Sequence, residues 1–189
     1  MKKYKIEAFE NLVSSFEELP NIGKKSAIKM AYYLIMENKF LAKKLAHAIE
    51  EGVKHIQKCK KCHNMSENEL CHICSDEYRD HSKLCIVQSA KDIITIENSG
   101  RYNGLYYIIR EIKDLDEYHL RKIAQNIEEI IFAFPPSIAT DTMILYIEEK
   151  LKGLNITFTK IAQGVPTGVS LDNIDLLSLS KALEDRVRV

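Results

Sequence analysis

The sequence CKKCHNMSENELCHIC at residues 59–74 contains two Cys-x-x-Cys pairs separated by eight residues. A two-residue gap lets both thiolates of a pair reach one ion across a tight turn, and two pairs complete the tetrahedral shell of Zn²⁺. Four thiolates leave no coordination position for water or substrate. We therefore expect one structural zinc ion per chain. The predicted ligands are Cys59, Cys62, Cys71 and Cys74.

Two disulfides or four free thiols are the alternative interpretation of this segment. A cytosolic chain rarely keeps disulfides, so zinc is favoured. His63 and His72 are substitute ligands by residue type, but each stands immediately beside a cysteine, where ligand geometry is poor. The fifth cysteine, Cys85, lies in a predicted strand and is expected to pack in the core. The polar, broken sequence of residues 58–75 predicts neither a helix nor a strand.

Helical periodicity precedes the cysteines. Apolar side chains at helical spacing predict a helix over residues 5–18 and a second over 24–36, separated by turn residues. Asn38 can cap a third helix that runs to about residue 57.

Strands alternate with helices after the cysteines. Short apolar runs predict strands over residues 83–87, 105–109, 129–134 and 156–161. Helices are predicted over 89–98, with Ser89 as the cap, and over 116–127, 138–152 and 175–186, the last after a turn-rich stretch at 163–172. This alternation predicts an α/β fold in which a parallel sheet is covered by helices on both faces.

Composition and charge limit the classes of protein to which this chain can belong. The chain has 189 residues and an apolar fraction of 46%, enough for a packed core. No stretch approaches the roughly 18–20 apolar residues of a membrane helix, and the N-terminal sequence lacks the apolar run of a signal peptide, so we expect a cytoplasmic protein. Residues 1–62 contain 13 Lys and 7 Glu, whereas the rest contain 14 Lys or Arg and 20 Asp or Glu. The basic front suggests a polyanionic partner, although a solvated basic face is the commoner meaning of such an imbalance.

The turn between the first two helices has the features of a phosphate-binding elbow. Its sequence is LPNIGKKSA at residues 19–27, and no acid occurs between Glu18 and Glu37. Gly23 permits a positive φ and Asn21 tolerates one, so both suit a tight turn. The second helix then begins with free N–H groups surrounded by lysines, which suits successive phosphates of a nucleic acid. The predicted nucleic-acid contacts are Asn21, Gly23, Lys24, Lys25 and Lys29.

Carboxylates that could hold a catalytic Mg²⁺ are missing from the predicted strand ends. In an open α/β sheet, ligands gather at the carboxyl ends of the strands. The first strand ends in the neutral Gln88, and the third runs into Pro135 and Pro136, with only Asp141 following. Two prolines and an amide cannot replace the acids that a divalent ion needs, so we expect no metal catalysis. Asp172 and Asp175 are expected to be turn and cap residues.

Taken in order, four blocks of this sequence resemble the RecR family of recombination mediator proteins. They are LPNIGKKSAIKMA (19–31), CKKCHNMSENELCHIC (59–74), CIVQSAKDIITIENSGRYNGLYY (85–107) and IAQGVPTGVSLDNIDLLSLSKAL (161–183). The resemblance implies a helix-hairpin-helix DNA-binding region at 1–57 and a four-cysteine zinc module at 58–75. It further implies a Toprim-like α/β domain at 80–162 and a Walker-B-like segment with a helix at 163–189.

The same resemblance implies a function and partners. RecR-like proteins form DNA-binding rings, usually homotetramers, and act with RecO, and in many bacteria with RecF, to help RecA replace single-strand-binding protein at gaps. Their DNA contacts correspond here to Lys25 and Lys29, and both single- and double-stranded DNA are implied as ligands through the backbone. A bacterial cytoplasmic location, with the nucleoid as the site of action, is implied as well.

Three departures from the family pattern bear on mechanism. The first glycine of the usual hairpin is Asn21, and the glutamate expected after the first Toprim strand is Gln88. The usual acidic cluster after the third strand is replaced by FPPSIATD, which leaves Asp141 as the remaining candidate for contact with RecO. A Gly- and Pro-rich insertion that usually follows the second strand is absent, since residues 110–114 lead directly into the next helix.

Three classes of function make different demands on these sequence features. A non-enzymatic DNA-repair mediator explains the basic front, the closed zinc site and the missing acids. A Toprim-type Mg²⁺-dependent enzyme, such as a primase, topoisomerase or nuclease, requires a Glu at position 88 and paired acids after the third strand. A zinc-bearing transcriptional regulator requires a recognition helix with base-reading side chains, and none stands out.

Overall fold

The computed structural model describes residues 6–162, 164–165, 168–184 and 186. The chain divides into two compact units, with the boundary between Ile56 and Gln57. No helix in the described part of the chain is both long enough and apolar enough to cross a bilayer.

The first unit is helical. It contains α1 (Glu7–Glu17), α2 (Lys24–Tyr32) and α3 (Lys39–His55). A small core between α1 and α2 comprises Val13, Ala27 and Ala31, with Ile22 from the intervening turn packed against it. The two alanines are fully buried, which lets the helices approach closely.

The end of α2 differs from the sequence prediction of one regular helix over 24–36. The α-helix ends at Tyr32 and continues as one wider π-helical turn over Tyr33–Glu37. The predicted cap of α3 is confirmed, since Asn38 Oδ1 accepts a hydrogen bond of 2.9 Å from the backbone N–H of Leu41.

The cysteine segment contains regular structure, and the prediction that it has none is wrong. Strands β1 (Gln57–Lys58) and β2 (Met65–Ser66) form an antiparallel pair, and α4 spans His72–Ser75. These elements are only two to four residues long. Sequence periodicity needs a longer window than that, so it could not detect them.

A four-stranded parallel sheet forms the centre of the second unit. Its strands are β3 (Asp80–Val87), β4 (Gly104–Ile108), β5 (Glu129–Phe132) and β6 (Thr157–Lys160), in the order β4-β3-β5-β6. The connecting helices are α5 (Ala90–Ser99), α6 (Glu117–Ile123) and α7 (Ile138–Lys150), with 3₁₀ turns at Ile112–Asp114 and Ala124–Asn126. The predicted alternation of strands and helices and the parallel sheet are confirmed.

Alternate strand residues enter two different cores, as the period of two in a strand requires. On one face Leu84, Tyr107 and Ile130 pack with Leu120 of α6 and Ile147 of α7. On the other face, the strand residues Cys85, Val87 and Tyr106 pack with Ile93 of α5 and with the four cysteines predicted to bind zinc. Both faces of the sheet are therefore covered, and Cys85 is a core residue as expected.

The C-terminal helix α8 spans Leu176–Glu184, after a 3₁₀ turn at Leu171–Asn173. Asp175 Oδ1 accepts a hydrogen bond from the N–H of Ser178 at 2.9 Å, which confirms its predicted role as a cap. Parts of the predicted segment 163–189, namely residues 163, 166–167, 185 and 187–189, lie outside the described residues.

Candidate metal centre and nucleic-acid interface

The four cysteines predicted to bind zinc converge on one point. Their sulfur atoms all lie within 4.8 Å of one another, and all four side chains are buried. The Sγ atoms of Cys62 and Cys71 are 3.5 Å apart, and the backbone N–H of Cys71 donates to Cys59 Sγ at 3.3 Å. Neither His63 nor His72 belongs to the cluster.

This donor set fits one structural Zn²⁺ ion. Four sulfur ligands fill a tetrahedral shell and leave no position for a reacting group. Hydrogen bonds from Cys62 and Cys74 hold the pKa of the Cys71 thiol below its ordinary value, whereas the same interaction raises the pKa of Cys62. The cluster thus favours a buried thiolate, and a cation would displace the protons that remain on the other thiols. When bound, the ion supplies cross-linking of the segment and no chemistry.

The cysteine cluster belongs to the core of the sheet unit and does not form a separate finger. Cys59 and Cys62 pack in the same core as Val87 and Tyr106 of the sheet. Arg79, which follows the second cysteine pair in the sequence, also forms hydrogen bonds within the sheet unit. Arg79 donates to both carboxylate oxygens of Glu97, at 2.7 and 3.0 Å, and to the carbonyl oxygen of Gly104.

Sequence reasoning missed this ion pair. Arg79 and Glu97 are 18 residues apart, and their neighbours carry no pattern that links them. Glu97 also accepts a hydrogen bond from the hydroxyl of Tyr106 at 2.7 Å. The Arg79 hydrogen bonds hold the pKa of the Glu97 carboxyl below its ordinary value. The sequence carries no signal for this contact, because Tyr106 and its neighbour Tyr107 both place a hydroxyl in an otherwise apolar strand.

The turn between α1 and α2 is a hairpin with an open helix start. Asn21 adopts a φ of +64°, the left-handed region that Asn tolerates best among non-glycine residues. Gly23 has a φ of −86° and is the N-cap of α2, so it does not use the positive φ that glycine permits. The turn places its left-handed residue two positions earlier than glycine alone would suggest.

At the start of α2, the backbone N–H groups of Lys24 and Lys25 have no hydrogen-bond acceptor among the described residues. No side chain caps the helix, and the carbonyl of Gly23 accepts only from Ser26 and Ala27 among the described residues. Lys24, Lys25 and Lys29 are exposed, and within the described part of the chain none of them forms an ion pair. The structure therefore brings the predicted DNA-contact residues together around an uncapped, positively polarised helix end.

The carboxyl edge of the sheet has a different character. Gln88 follows β3, and Pro135 and Pro136 follow β5, as the sequence indicated. The helices that start there are capped from within: Ser89 and Asp92 form a capping box on α5, and Ser137 and Thr140 form one on α7. Asp141 is exposed in the first turn of α7. In the described residues, no group of three or more His, Cys, Asp or Glu side chains that could hold a cation lies at this edge.

Comparison with known proteins agrees with this architecture. Three family models match in order: the RecR helix-hairpin-helix at residues 9–53, the RecR four-cysteine zinc finger domain at 56–76, and the Toprim domain at 82–162. Similar proteins named Recombination protein RecR occur in Nitratiruptor sp. (50% identity, covering 99% of this chain and all of the relative) and in Campylobacter jejuni (51%, covering 97% and 98%). One from Helicobacter pylori is 48% identical over the full length of both chains.

Proposed function

Because this chain belongs to the RecR family of recombination proteins, we propose that it is a non-enzymatic DNA-binding mediator of recombinational repair. It would act with RecO, and with RecF where that protein is present, to help RecA load at single-stranded gaps. The location of such a protein is the bacterial cytoplasm, with the nucleoid as its place of action.

The uncapped start of α2 is the observation that carries the DNA-binding part of this proposal. Free N–H groups at a helix N-terminus bind phosphate oxygens, and adjacent lysines add attraction to the polyanion. Lys25 and Lys29 are the proposed principal contacts, with Asn21, Gly23 and Lys24 completing the surface. Contacts of this kind touch only the backbone, so they suit single- and double-stranded DNA of any sequence.

The amide and prolines at the carboxyl edge of the sheet support a scaffold without catalysis. A Toprim-type enzyme needs paired acids to hold Mg²⁺, and Gln88 and the two prolines cannot supply them. Asp141 is proposed as a contact for RecO, because it is an exposed acid on the first turn of α7 with no capping role of its own.

The exposed apolar face of α3 supports self-association. The helix has 17 residues and no buried side chain, yet one face is continuously apolar. Three of these side chains, Leu45, Ile49 and Val53, are 39%, 57% and 80% exposed. Such a face is expected to be covered by a protein surface. We propose that copies of this chain cover it, within a homotetrameric ring.

RecA loading tests the proposal directly. Single-stranded DNA coated with single-strand-binding protein is incubated with RecA and RecO, with and without this protein. Faster RecA filament formation only when the protein is present is the expected result. No acceleration at any ratio to RecO would refute the mediator role. The Lys25→Ala/Lys29→Ala variant should lose the acceleration and keep its oligomeric mass.

Oligomeric mass and Mg²⁺ chemistry test the remaining parts. Light scattering should give four chains per particle, with an increase in mass on adding RecO, whereas a single chain would contradict the ring. The competing Toprim-enzyme function predicts Mg²⁺-dependent cleavage or nucleotide incorporation on DNA that disappears in Asp141→Ala. We expect neither activity.

A further inference from the structure

The residue that follows Cys62, a predicted zinc ligand, has an unusual backbone conformation. His63 adopts a φ of +64°, in the left-handed region where glycine is the favoured residue. It closes the first zinc knuckle, which we define as residues 59–63. A β-carbon at this conformation is strained, so the presence of an imidazole there calls for a compensating contact.

The compensating contacts come from the sheet and from α6. The His63 ring stacks on the ring of His119, with centroids 5.3 Å apart and an angle of 27° between the planes. The ring of Tyr107 in β4 lies 4.9 Å from that of His63 and 5.8 Å from that of His119. The three rings form a cluster that joins the knuckle to two elements distant in sequence.

Two hydrogen bonds hold the same knuckle. His119 Nε2 donates to the carbonyl oxygen of Lys61 at 3.0 Å, and the backbone N–H of Ile108 donates to the carbonyl oxygen of Cys62 at 3.0 Å. The backbone on both sides of the Cys62 thiol is therefore fixed by residues that are not zinc ligands. In the described part of the chain no histidine makes an equivalent hydrogen bond or ring contact at the second cysteine pair, and His72 beside Cys71 is exposed.

We propose that His63 and His119 form a clamp that positions Cys62 for zinc and slows release of the ion. His119 is remote from Cys62 in the sequence and acts through the Lys61 carbonyl and the stacked ring of His63. Groups that orient metal ligands without touching the metal commonly change metal affinity by about 10- to 100-fold when removed. The clamp would also link zinc occupancy to the position of α6.

Zinc transfer to a chromogenic chelator, 4-(2-pyridylazo)resorcinol, tests the clamp on the purified full-length protein. His119→Ala should release zinc roughly 10-fold faster than the parent. His72→Ala, the matched histidine beside the second pair, should release it at the parental rate. Leu120→Ala, a fully buried neighbour on the same helix, controls for general destabilisation. If Leu120→Ala speeds release as much as His119→Ala at equal loss of thermal stability, the clamp is refuted.

His63→Gly separates the clamp from simple backbone strain and needs no change in the sheet itself. Glycine removes the strain at φ +64° but also removes the stacked ring. The clamp predicts faster zinc release from His63→Gly, and a double variant with His119→Ala that is little faster than either single variant. Unchanged or slower release from His63→Gly would overturn the proposal. His119→Gln, whose amide can still donate to Lys61, should restore part of the parental rate.

Discussion

Two helix starts of this molecule suit different purposes: the start of α2 in the hairpin and the start of α7 at the carboxyl edge of the sheet. The N–H groups of α2 have no side-chain cap and are surrounded by exposed lysines. Those of α7 are occupied by the Ser137 and Thr140 capping box, and Asp141 adds a negative charge there. An open, basic helix end can accept a phosphate, whereas a capped, acidic one repels it.

The difference shows that fold similarity alone does not locate the function. The sheet matches a Toprim domain, but its strand ends carry an amide and prolines, which cannot supply the acids that a divalent cation needs. The hairpin has a core of few residues but carries the positive charge. In the proposed function, the sheet unit is the scaffold, with the zinc ligands as part of its core, and the hairpin is the contact with DNA.

Removing a zinc ligand is expected to change the stability of the sheet unit more than any of the substitutions that follow. Cys59→Ser should lose zinc and strongly destabilise the sheet unit, because zinc binding in small modules supplies folding free energy on the order of 10 kcal/mol. The unit has a second core on the other sheet face, so partial unfolding or aggregation is expected in place of complete unfolding. Metal analysis and thermal unfolding measure both effects.

Cys85→Ser is the matched control for that experiment. Cys85 lies in the same core, 3% exposed, but outside the sulfur cluster. It should keep about one zinc ion per chain. A Cys59→Ser protein that also retains a full zinc ion would show that the four-cysteine site has been misassigned.

The acid stability of the scaffold depends on the Arg79–Glu97 pair. Because Arg79 lowers the pKa of Glu97, this pair stabilises the folded state above the ordinary carboxyl pKa of about 4.3. That stabilisation is lost as the pH falls below this value toward the folded-state pKa. Glu97→Gln should therefore lower the urea midpoint at pH 7 and flatten its decline on acidification. Glu149→Gln, in an exposed pair, should leave both unchanged.

Many helices and strands of the sheet unit are predictable from the sequence. The hydrogen bonds that join residues distant in the sequence are not. Strand alternation around Leu84 and Ile130 is a local pattern, as are the caps at Asn38 and Ser89. The hydrogen bond from His119 to Lys61 joins residues 58 positions apart, and nothing local marks either one.

The hairpin shows a subtler limit of sequence reasoning. Both Asn21 and Gly23 suit a left-handed turn, and only the structure shows that Asn21 takes that conformation while Gly23 caps the helix. The lysines and the lack of acids are visible in the sequence, but only the structure shows that no side chain caps the start of α2. Site residues were therefore easier to nominate than the geometry that makes them effective.

A moderate effect is expected from opening the capped helix start. Ser137→Ala removes the acceptor for the N–H of Thr140, which should cost about 1 kcal/mol of unfolding free energy. DNA affinity should remain unchanged, because Asp141 still disfavours phosphate at that end. Thr142→Ala, exposed on the same helix, gives the baseline for a change without a cap. A gain of DNA affinity in Ser137→Ala would weaken the contrast between the two helix starts.

The smallest expected effect concerns the carboxyl edge itself. Gln88→Ala and Asp141→Ala should each bind DNA within about twofold of the parent, with or without Mg²⁺, since neither side chain lies at the proposed contact surface. Fluorescence anisotropy with labelled DNA measures this. A marked loss of affinity that appears only with Mg²⁺ would indicate a metal-dependent DNA site at the sheet.

The salt dependence of DNA binding shows whether the hairpin lysines contact phosphates, because the slope of log affinity against log salt concentration counts such contacts. Affinity is measured over a range of salt concentrations for the parent, for Lys25→Ala/Lys29→Ala, and for Lys91→Ala/Lys160→Ala, which removes two exposed lysines from the sheet unit. The hairpin variant should bind more weakly, with a log–log slope reduced by about 1.4–1.8. The sheet variant should keep the parental slope. An unchanged slope in the hairpin variant, or a larger reduction in the sheet variant, would contradict the account.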